Sequence, residues 1–285
     1  MTATRTPSAG RPTHSGAGGV RVEARPVSLP RVVLSELTKL RSVRSTAWAL
    51  LTTAARIIGP GILICLAQAE QWPPDNPADA AGFDATAISL TGVYFATLAI
   101  GVLGILVVSG EYATGSIRST FAAVPRRLPV LWGKVIAFGL AVPVVCVPAV
   151  LIAFLGGQKM LDTKGIGVTM GDPGVARAVL GSALFLTMLG MLGIGLGMLL
   201  RNTAAAVTVL VGMLLILPLT VSFLPADLSA TVNKFLPLSA GTAITNVGPV
   251  DPTFTLTPLA GLGVFTIYVV VFLALGAVRV ATRDV

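Results

Sequence analysis

The sequence alternates between long apolar runs and short polar connections. Six of the runs are each about 20 residues long, enough for an α-helix to cross the roughly 30 Å hydrocarbon core of a bilayer. The pattern therefore predicts an all-α integral membrane protein whose six spans cover residues 48–69, 87–109, 131–154, 179–200, 204–224 and 259–280.

A shorter segment, residues 30–45, precedes the first run and has a different pattern. Val33, Leu37 and Leu40 recur at helical spacing, with polar residues on the opposite side. We interpret the segment as an amphipathic elbow helix in the membrane interface. Lys39 lies on the polar side of this helix, but Glu36, Arg41 and Arg44 intrude at the edges of the apolar arc, so a solvated juxtamembrane helix is the alternative.

Two regions follow from this division of the chain. Residues 1–27 are rich in Thr, Pro, Ser, Gly and Arg and contain no apolar core, so we expect a disordered basic tail. Residues 28–285 form the six-span transmembrane domain. We expect prolines to kink the first and third predicted spans, small residues on the fourth to support close helix packing, and the outer loop 225–258 to be a capping loop or to carry short helices.

Composition supports the membrane class. Of the 285 residues, 54% are apolar and only 11% are charged, whereas a soluble domain carries about 25% charged residues. The net charge of +8 is better explained by positive residues on the inner side of a membrane than by a nucleic-acid partner. We therefore expect no nucleic-acid partner.

The basic residues also predict the orientation. With both termini cytoplasmic, the outer segments hold only four of them, Lys159, Lys164, Arg177 and Lys234, and Arg56 lies inside a span. The first outer loop has four acids and no base. The inner segments then hold the other fifteen: Arg5, Arg11, Arg21, Arg25, Arg31, Lys39, Arg41, Arg44, Arg118, Arg126, Arg127, Lys134, Arg201, Arg279 and Arg283.

Candidate chemistry is sparse. The only histidine, His14, lies in the tail, no metal-binding spacing occurs, and no lysine completes a P-loop motif. The chain is therefore not expected to be an enzyme or to hold a metal or cofactor. The predicted spans contain no Asp or Glu, which argues against ion-driven transport and for energy supplied by another chain.

Arg56 is the only charged residue well inside a predicted span. A charge at mid-span costs about 3 kcal/mol on insertion scales. Two interpretations stay open: the side chain snorkels to the cytoplasmic headgroups, or it lines a transport pathway that attracts anions.

Four stretches resemble the ABC-2 type permeases, the membrane subunits of ATP-binding-cassette exporters, and in particular the small six-span permeases of high-GC Gram-positive bacteria. The stretch LSELTKLR, from Leu34 to Arg41, resembles the entry helix of that family. EYATGSIR, from Glu111 to Arg118, together with AAVPRR, from Ala122 to Arg127, and Lys134, resembles its first cytoplasmic loop. LRNTA, from Leu200, and FLPLSA, from Phe235, resemble a later turn and the last outer loop.

The resemblance implies a type V exporter-like fold, a homodimer or heterodimer of permeases, and a separate P-loop ATPase that carries ATP and Mg. It implies a bacterial plasma membrane location and a coupling helix in the first cytoplasmic loop. The residues of that coupling loop would be Glu111, Gly115, Arg118, Arg126, Arg127 and Lys134. The basic ones could instead be topology signals only.

We therefore expect a membrane-spanning permease subunit of an ABC transporter, more specifically an exporter. A stand-alone secondary carrier is the alternative, and a non-transporting membrane scaffold is a third. The sequence does not identify the substrate.

Overall fold

The computed structural model describes residues 28–76, 80, 82–115, 127–248 and 251–282, and every regular element in those ranges is a helix. Short π and 3-10 turns occur at Gly212–Ile216 and Ala243–Thr245. The α-helices are α1 (Leu29–Ser42), α2 (Arg44–Glu70), α3 (Ala85–Ser89), α4 (Gly92–Ala113), α5 (Arg127–Asp162), α6 (Val175–Leu200), α7 (Thr203–Val211), α8 (Leu217–Val221), α9 (Ala226–Asn233), α10 (Pro237–Thr242) and α11 (Pro258–Thr282).

Six helical segments are long and apolar enough to cross a membrane, as the sequence predicted. They are α2, α4, Leu128–Asp162 of α5, α6, the combined Thr203–Val221 segment and α11. A further helix, α1, occupies most of the segment predicted to be amphipathic, with Pro30 in its first turn. The predicted disordered tail, residues 1–27, lies outside the described residues.

The centre of the bundle is formed by α4 and α6. Their apolar windows are 61% and 72% buried, whereas no other spanning helix exceeds 39%. Around this pair, α2 packs against α4 and α5, α11 packs against α6, and α1 packs against the start of α5. The peripheral helices turn large apolar side chains outward, as the lipid-facing surface of a membrane bundle does.

Glycines allow α4 and α6 to approach each other closely. A Cβ atom added to Gly104 of α4 would lie 2.0 Å from the carbonyl oxygen of Gly190, and one added to Gly193 of α6 would lie 2.3 Å from that of Gly101. The glycine face predicted on the fourth span is therefore a helix-packing face. No larger residue fits at these crossings without moving a backbone.

Prolines affect the helices unequally. Pro60 lies within a continuous α2, and Pro143 and Pro148 lie within a continuous α5. The fifth span is interrupted, because a π turn at Gly212–Ile216 separates α7 from α8 and Pro218 follows at once. Proline cannot donate the backbone hydrogen bond that an α-helix needs at this point, and π turns commonly absorb such a defect.

The connection between the fifth and sixth spans, predicted to be an outer loop, contains short helices. The helices α9 and α10 and the 3-10 turn lie between Ala226 and Thr245. Phe265 of α11 lies 5.2 Å, between ring centroids, from Phe185 of α6, beside a glycine of α10, Gly241. The connection is thus packed onto the bundle through α10, which distinguishes it from a plain capping loop.

Candidate functional site

Four charged side chains meet where α1, the end of α4 and the start of α5 come together. Lys134 Nζ donates hydrogen bonds to Glu36 Oε2 at 2.8 Å and to Glu111 Oε1 at 2.7 Å. Lys39 Nζ donates to Glu36 Oε1 at 2.9 Å and to Glu111 Oε1 at 3.2 Å. We call Glu36, Lys39, Glu111 and Lys134 the four-charge cluster. It joins three helices with a formal charge of zero.

Most of this cluster is removed from solvent. The side chains of Lys134 and Glu36 are 1% and 5% exposed, that of Glu111 is 15% exposed, and that of Lys39 is 45% exposed. Buried charges are stable only when paired and hydrogen-bonded, because the desolvation of an isolated ion is very costly. Each buried charge here has at least one oppositely charged partner, so α1, the end of α4 and the start of α5 depend on one another.

The spacing on α1 explains how the cluster forms. Val32 and Glu36 are four residues apart and share a helical face, and both are buried. Val32 packs at Gly133 of α5, where an added Cβ would lie 2.6 Å from a Val32 methyl carbon. The glycine lets α1 approach α5 one residue before Lys134. The close approach places Glu36 within reach of the lysine.

Lys39 is held in its charged form by its neighbours. Partial burial lowers the pKa of this lysine, but the hydrogen bond to Glu36 and the negative charges of Glu111 and Glu36 outweigh that effect, so its pKa is raised. A raised lysine pKa adds stability below the unfolded value, which is lost as the pH rises through the folded value. The contribution of Lys39 is therefore complete at neutral pH.

The structure places the predicted coupling-loop residues in different environments. Glu111 and Lys134 belong to the four-charge cluster. Gly115 follows the end of α4 with a φ of +72°, a left-handed conformation that glycine adopts at helix ends. Arg127 is the first residue of α5. Arg118 and Arg126 lie outside the described residues.

The predicted elbow-helix residues also separate. Glu36 and Lys39 join the cluster, whereas Arg41 is exposed near the end of α1. The elbow helix and the loop are separate features of the sequence, and their contact was not predicted. Two signals could have revealed it. Glu36 is the only acid in a basic helix, and Lys134 lies within the predicted third span, so both needed a partner.

Arg56 lies at the middle of the 27-residue α2 and its side chain is exposed on the surface of the bundle. It belongs to no ion pair of the described residues. A guanidinium at this depth is unfavourable against hydrocarbon. The surface around Arg56 is therefore expected to meet water, headgroups or another protein rather than lipid tails.

The turn between the fourth and fifth spans forms a second polar contact at the same end of the bundle. Arg201 has a left-handed φ of 53°, donates a hydrogen bond to the carbonyl oxygen of Arg279 at 3.0 Å, and lies 5.4 Å from the ring centroid of Tyr112. Asn202 accepts a hydrogen bond from the backbone of Ala205 and caps α7. These contacts hold the ends of α4, α6 and α11 together.

The side chains of the four-charge cluster interact through ion pairs and hydrogen bonds. Within the described part of the chain, no three His, Cys, Asp or Glu side chains are grouped so that they could hold a metal ion. The arrangement of two acids and two lysines resembles a structural clamp, because each lysine bridges both carboxylates.

No family model matches the chain, and no curated protein matches it. The class is defined by the architecture itself: an all-helical protein with six helices of membrane-spanning length and composition, that is, a multi-pass membrane protein.

Proposed function

We propose that this chain is the membrane-spanning permease subunit of an ATP-binding-cassette exporter, with ATP hydrolysed by a separate P-loop ATPase. It would work as a homodimer or heterodimer in a bacterial plasma membrane, with both termini cytoplasmic and α1 in the interface. The observation that carries the proposal is the four-charge cluster. It links α1, which resembles the entry helix of that family, to both ends of the connection between α4 and α5. By the same resemblance, this connection contacts the ATPase.

The cluster suits force transmission. Glu111 is in the last turn of α4 and Lys134 in the second turn of α5, so their ion pair closes the two ends of the connection between these helices. A displacement of residues 116–126 would act on both helices together rather than on one. Because α4 packs against the central α6, such a displacement would reach the middle of the bundle.

The need for an external energy source favours a model in which a partner chain hydrolyses ATP. The sequence contains no P-loop lysine, so this chain needs energy from elsewhere. A specific observation keeps the secondary carrier as a second candidate: Glu36 and Glu111 are largely buried carboxylates at one end of the bundle, and proton-coupled carriers use such groups. Both acids here form ion pairs with lysines, which accounts for their burial without a role in proton transport.

The direct test starts from native membranes. The full chain, purified with a mild detergent from the cells that make it, should bring a P-loop ATPase with it, and vesicles containing the complex should export only with ATP. Inhibition by a proton uncoupler with no effect of ATP removal would contradict the ABC assignment and support the carrier. If the vesicles show neither ATP-driven nor proton-driven export, the result would support the non-transporting scaffold.

The coupling role needs a variant that leaves the four-charge cluster intact. Reversal of Glu111 is unsuitable, because it would put a third positive charge beside Lys39 and Lys134. We therefore expect Arg118→Glu to insert normally but to lose the ATPase or its stimulation by substrate. The new carboxylate would face an acidic group of the ATPase that complements Arg118, and like charges at a desolvated contact cost several kcal/mol. Lys159→Glu, near the opposite end of α5, is the matched control. Normal coupling in Arg118→Glu would remove that residue from the mechanism.

A further inference from the structure

A cleft opens beside the four-charge cluster, between α1, the start of α2 and the last three turns of α4. Its volume is about 570 Å³, which lies within the usual range of ligand sites. Lys39, Glu111 and Lys134 form part of its wall. The protein surface therefore leaves a space next to the cluster that the described side chains do not fill.

The lining of this cleft changes from polar to apolar along α4. Glu111 and Thr114 lie at the polar end, and Leu103 and Val107 line the apolar part. The apolar residues precede Glu111 by four to eight positions, which at 1.5 Å per residue places them roughly 6–12 Å deeper along the helix. The order matches an amphiphile whose polar end lies by the cluster and whose apolar chain runs toward the middle of the bundle.

The cleft is open to the side on which lipid would lie. Leu106, in the apolar part of the wall, is 45% exposed, and Trp48 on the adjoining α2 is 63% exposed. Large apolar side chains with this exposure belong against hydrocarbon rather than water in a membrane bundle. An occupant can therefore enter sideways from the bilayer without crossing the polar end.

The polar end favours a negative group. Lys39 is half-exposed, and its ammonium has three N–H donors, of which Glu36 and Glu111 accept two. The charges in the wall cancel, because Glu36 and Glu111 are balanced by Lys39 and Lys134. Arg41 and Arg44, which are exposed near the junction of α1 and α2 and outside the wall, add positive charge nearby. An anion near Lys39 would thus meet an excess of positive charge and at least one donor that the cluster does not use.

The start of α2 adds donors at the same place. Its first turn follows Val43, which has no side chain able to cap the helix, and Ser45 and Thr46 line the cleft. The first backbone N–H groups of an uncapped helix favour anions. These N–H groups add to the attraction of Lys39 for an anion but would not be sufficient to bind one alone.

We propose that this cleft binds one glycerophospholipid with an anionic headgroup, taken from the leaflet on the α1 side of the membrane. The headgroup phosphate lies by Lys39 and the hydroxyl groups of Ser45 and Thr46. One acyl chain runs along Leu103, Leu106 and Val107. The proposal is independent of the ATPase partner.

Brominated lipids can test it in the full-length chain reconstituted in bilayers. In a background of Trp48→Phe, Trp72→Phe and Trp132→Phe, a single reporter is placed in the cleft by Leu106→Trp. The matched control is Leu140→Trp, a 54% exposed position on α5 away from the cleft. Quenching by dibrominated phosphatidylglycerol is compared with quenching by dibrominated phosphatidylcholine at each position.

We expect the Leu106→Trp reporter to be quenched with a several-fold preference for phosphatidylglycerol and the Leu140→Trp reporter to show little preference. Lys39→Met should reduce the preference at position 106 to that at position 140, whereas Lys39→Arg should retain it. Equal preference at both positions would reduce the effect to general attraction by a basic protein and overturn the proposal. So would a preference for phosphatidylcholine, or one that survives Lys39→Met.

Discussion

Lys134 is a lysine whose ammonium is almost entirely removed from solvent, and two carboxylates account for its position. Neither carboxylate is adjacent in sequence, since Glu36 lies 98 residues away and Glu111 lies 23 residues away. The net free energy of such a buried pair need not exceed that of an apolar replacement. Removal of Lys134 is costly, because it leaves two largely buried carboxylates that share the half-exposed Lys39.

We predict that Lys134→Met lowers the free energy of unfolding by about 3–5 kcal/mol, the usual cost of breaking a buried pair. The reactivity of Cys65 and Cys146, both fully buried, with a thiol-specific dye would report unfolding during heating in detergent. Addition of Glu36→Gln and Glu111→Gln to Lys134→Met should recover part of the loss.

Lys159→Met provides the control for this prediction. Lys159 is exposed on the same helix, so its loss should change the unfolding free energy by about 0.5 kcal/mol or less. Equal effects of the two lysine substitutions would show that the buried contacts of Lys134 do not determine stability.

Arg56 leads to a prediction about the surface of α2. A charged, water-soluble thiol reagent should react with Arg56→Cys in a background that lacks the native cysteines, because the cost of an exposed guanidinium in hydrocarbon implies a wet or protein-covered environment there. Val144→Cys, near the middle of α5 and 72% exposed, should react much more slowly, since an exposed apolar side chain at this depth is expected to face lipid. Similar slow rates at both positions would place Arg56 against hydrocarbon.

At the scale of the elements, the contact between α4 and α6 depends on the absence of side chains. We predict that Gly104→Ala lowers the free energy of unfolding by about 1–3 kcal/mol, the usual cost of overpacking, because the new Cβ meets the backbone of Gly190. Gly263→Ala on α11 is the control, since nothing lies within 4 Å of a Cβ there. If the dye assay gave the two variants equal stability, the close crossing of α4 and α6 would be wrong.

The sequence predicts elements better than it predicts contacts between them. The apolar length of each span is local information, so all six spanning segments were predicted. The glycine face of α6 was also visible, because its residues recur at helical spacing. The four-charge cluster was not, because Glu36, Glu111 and Lys134 meet only when three separate helices pack. The π turn before Pro218 likewise depends on how the helix responds to proline.

At the scale of the whole molecule, the orientation of the bundle is a prediction from the basic residues. In a background without Cys65 and Cys146, Asn76→Cys and Asn246→Cys should react with a membrane-impermeant thiol reagent in intact cells, and Ser119→Cys should not. The reason is that fifteen basic residues fall on one side and four on the other. The reverse labelling pattern would invert the orientation, and labelling at all three positions would contradict the six-span topology.

The ion pair between Glu111 and Lys134 has a consequence for the connectivity of the chain. A cut between residues 116 and 126 would give one fragment with α1 to α4 and another with α5 to α11. The attractions of Lys134 to Glu36 and Glu111 cross that cut, as do the packing of α2 on α5 and of α4 on α6. The two fragments, made as separate polypeptides, should therefore reassemble in one membrane with the native arrangement of helices. The ion pairs would then hold together the helix ends that the peptide chain no longer connects.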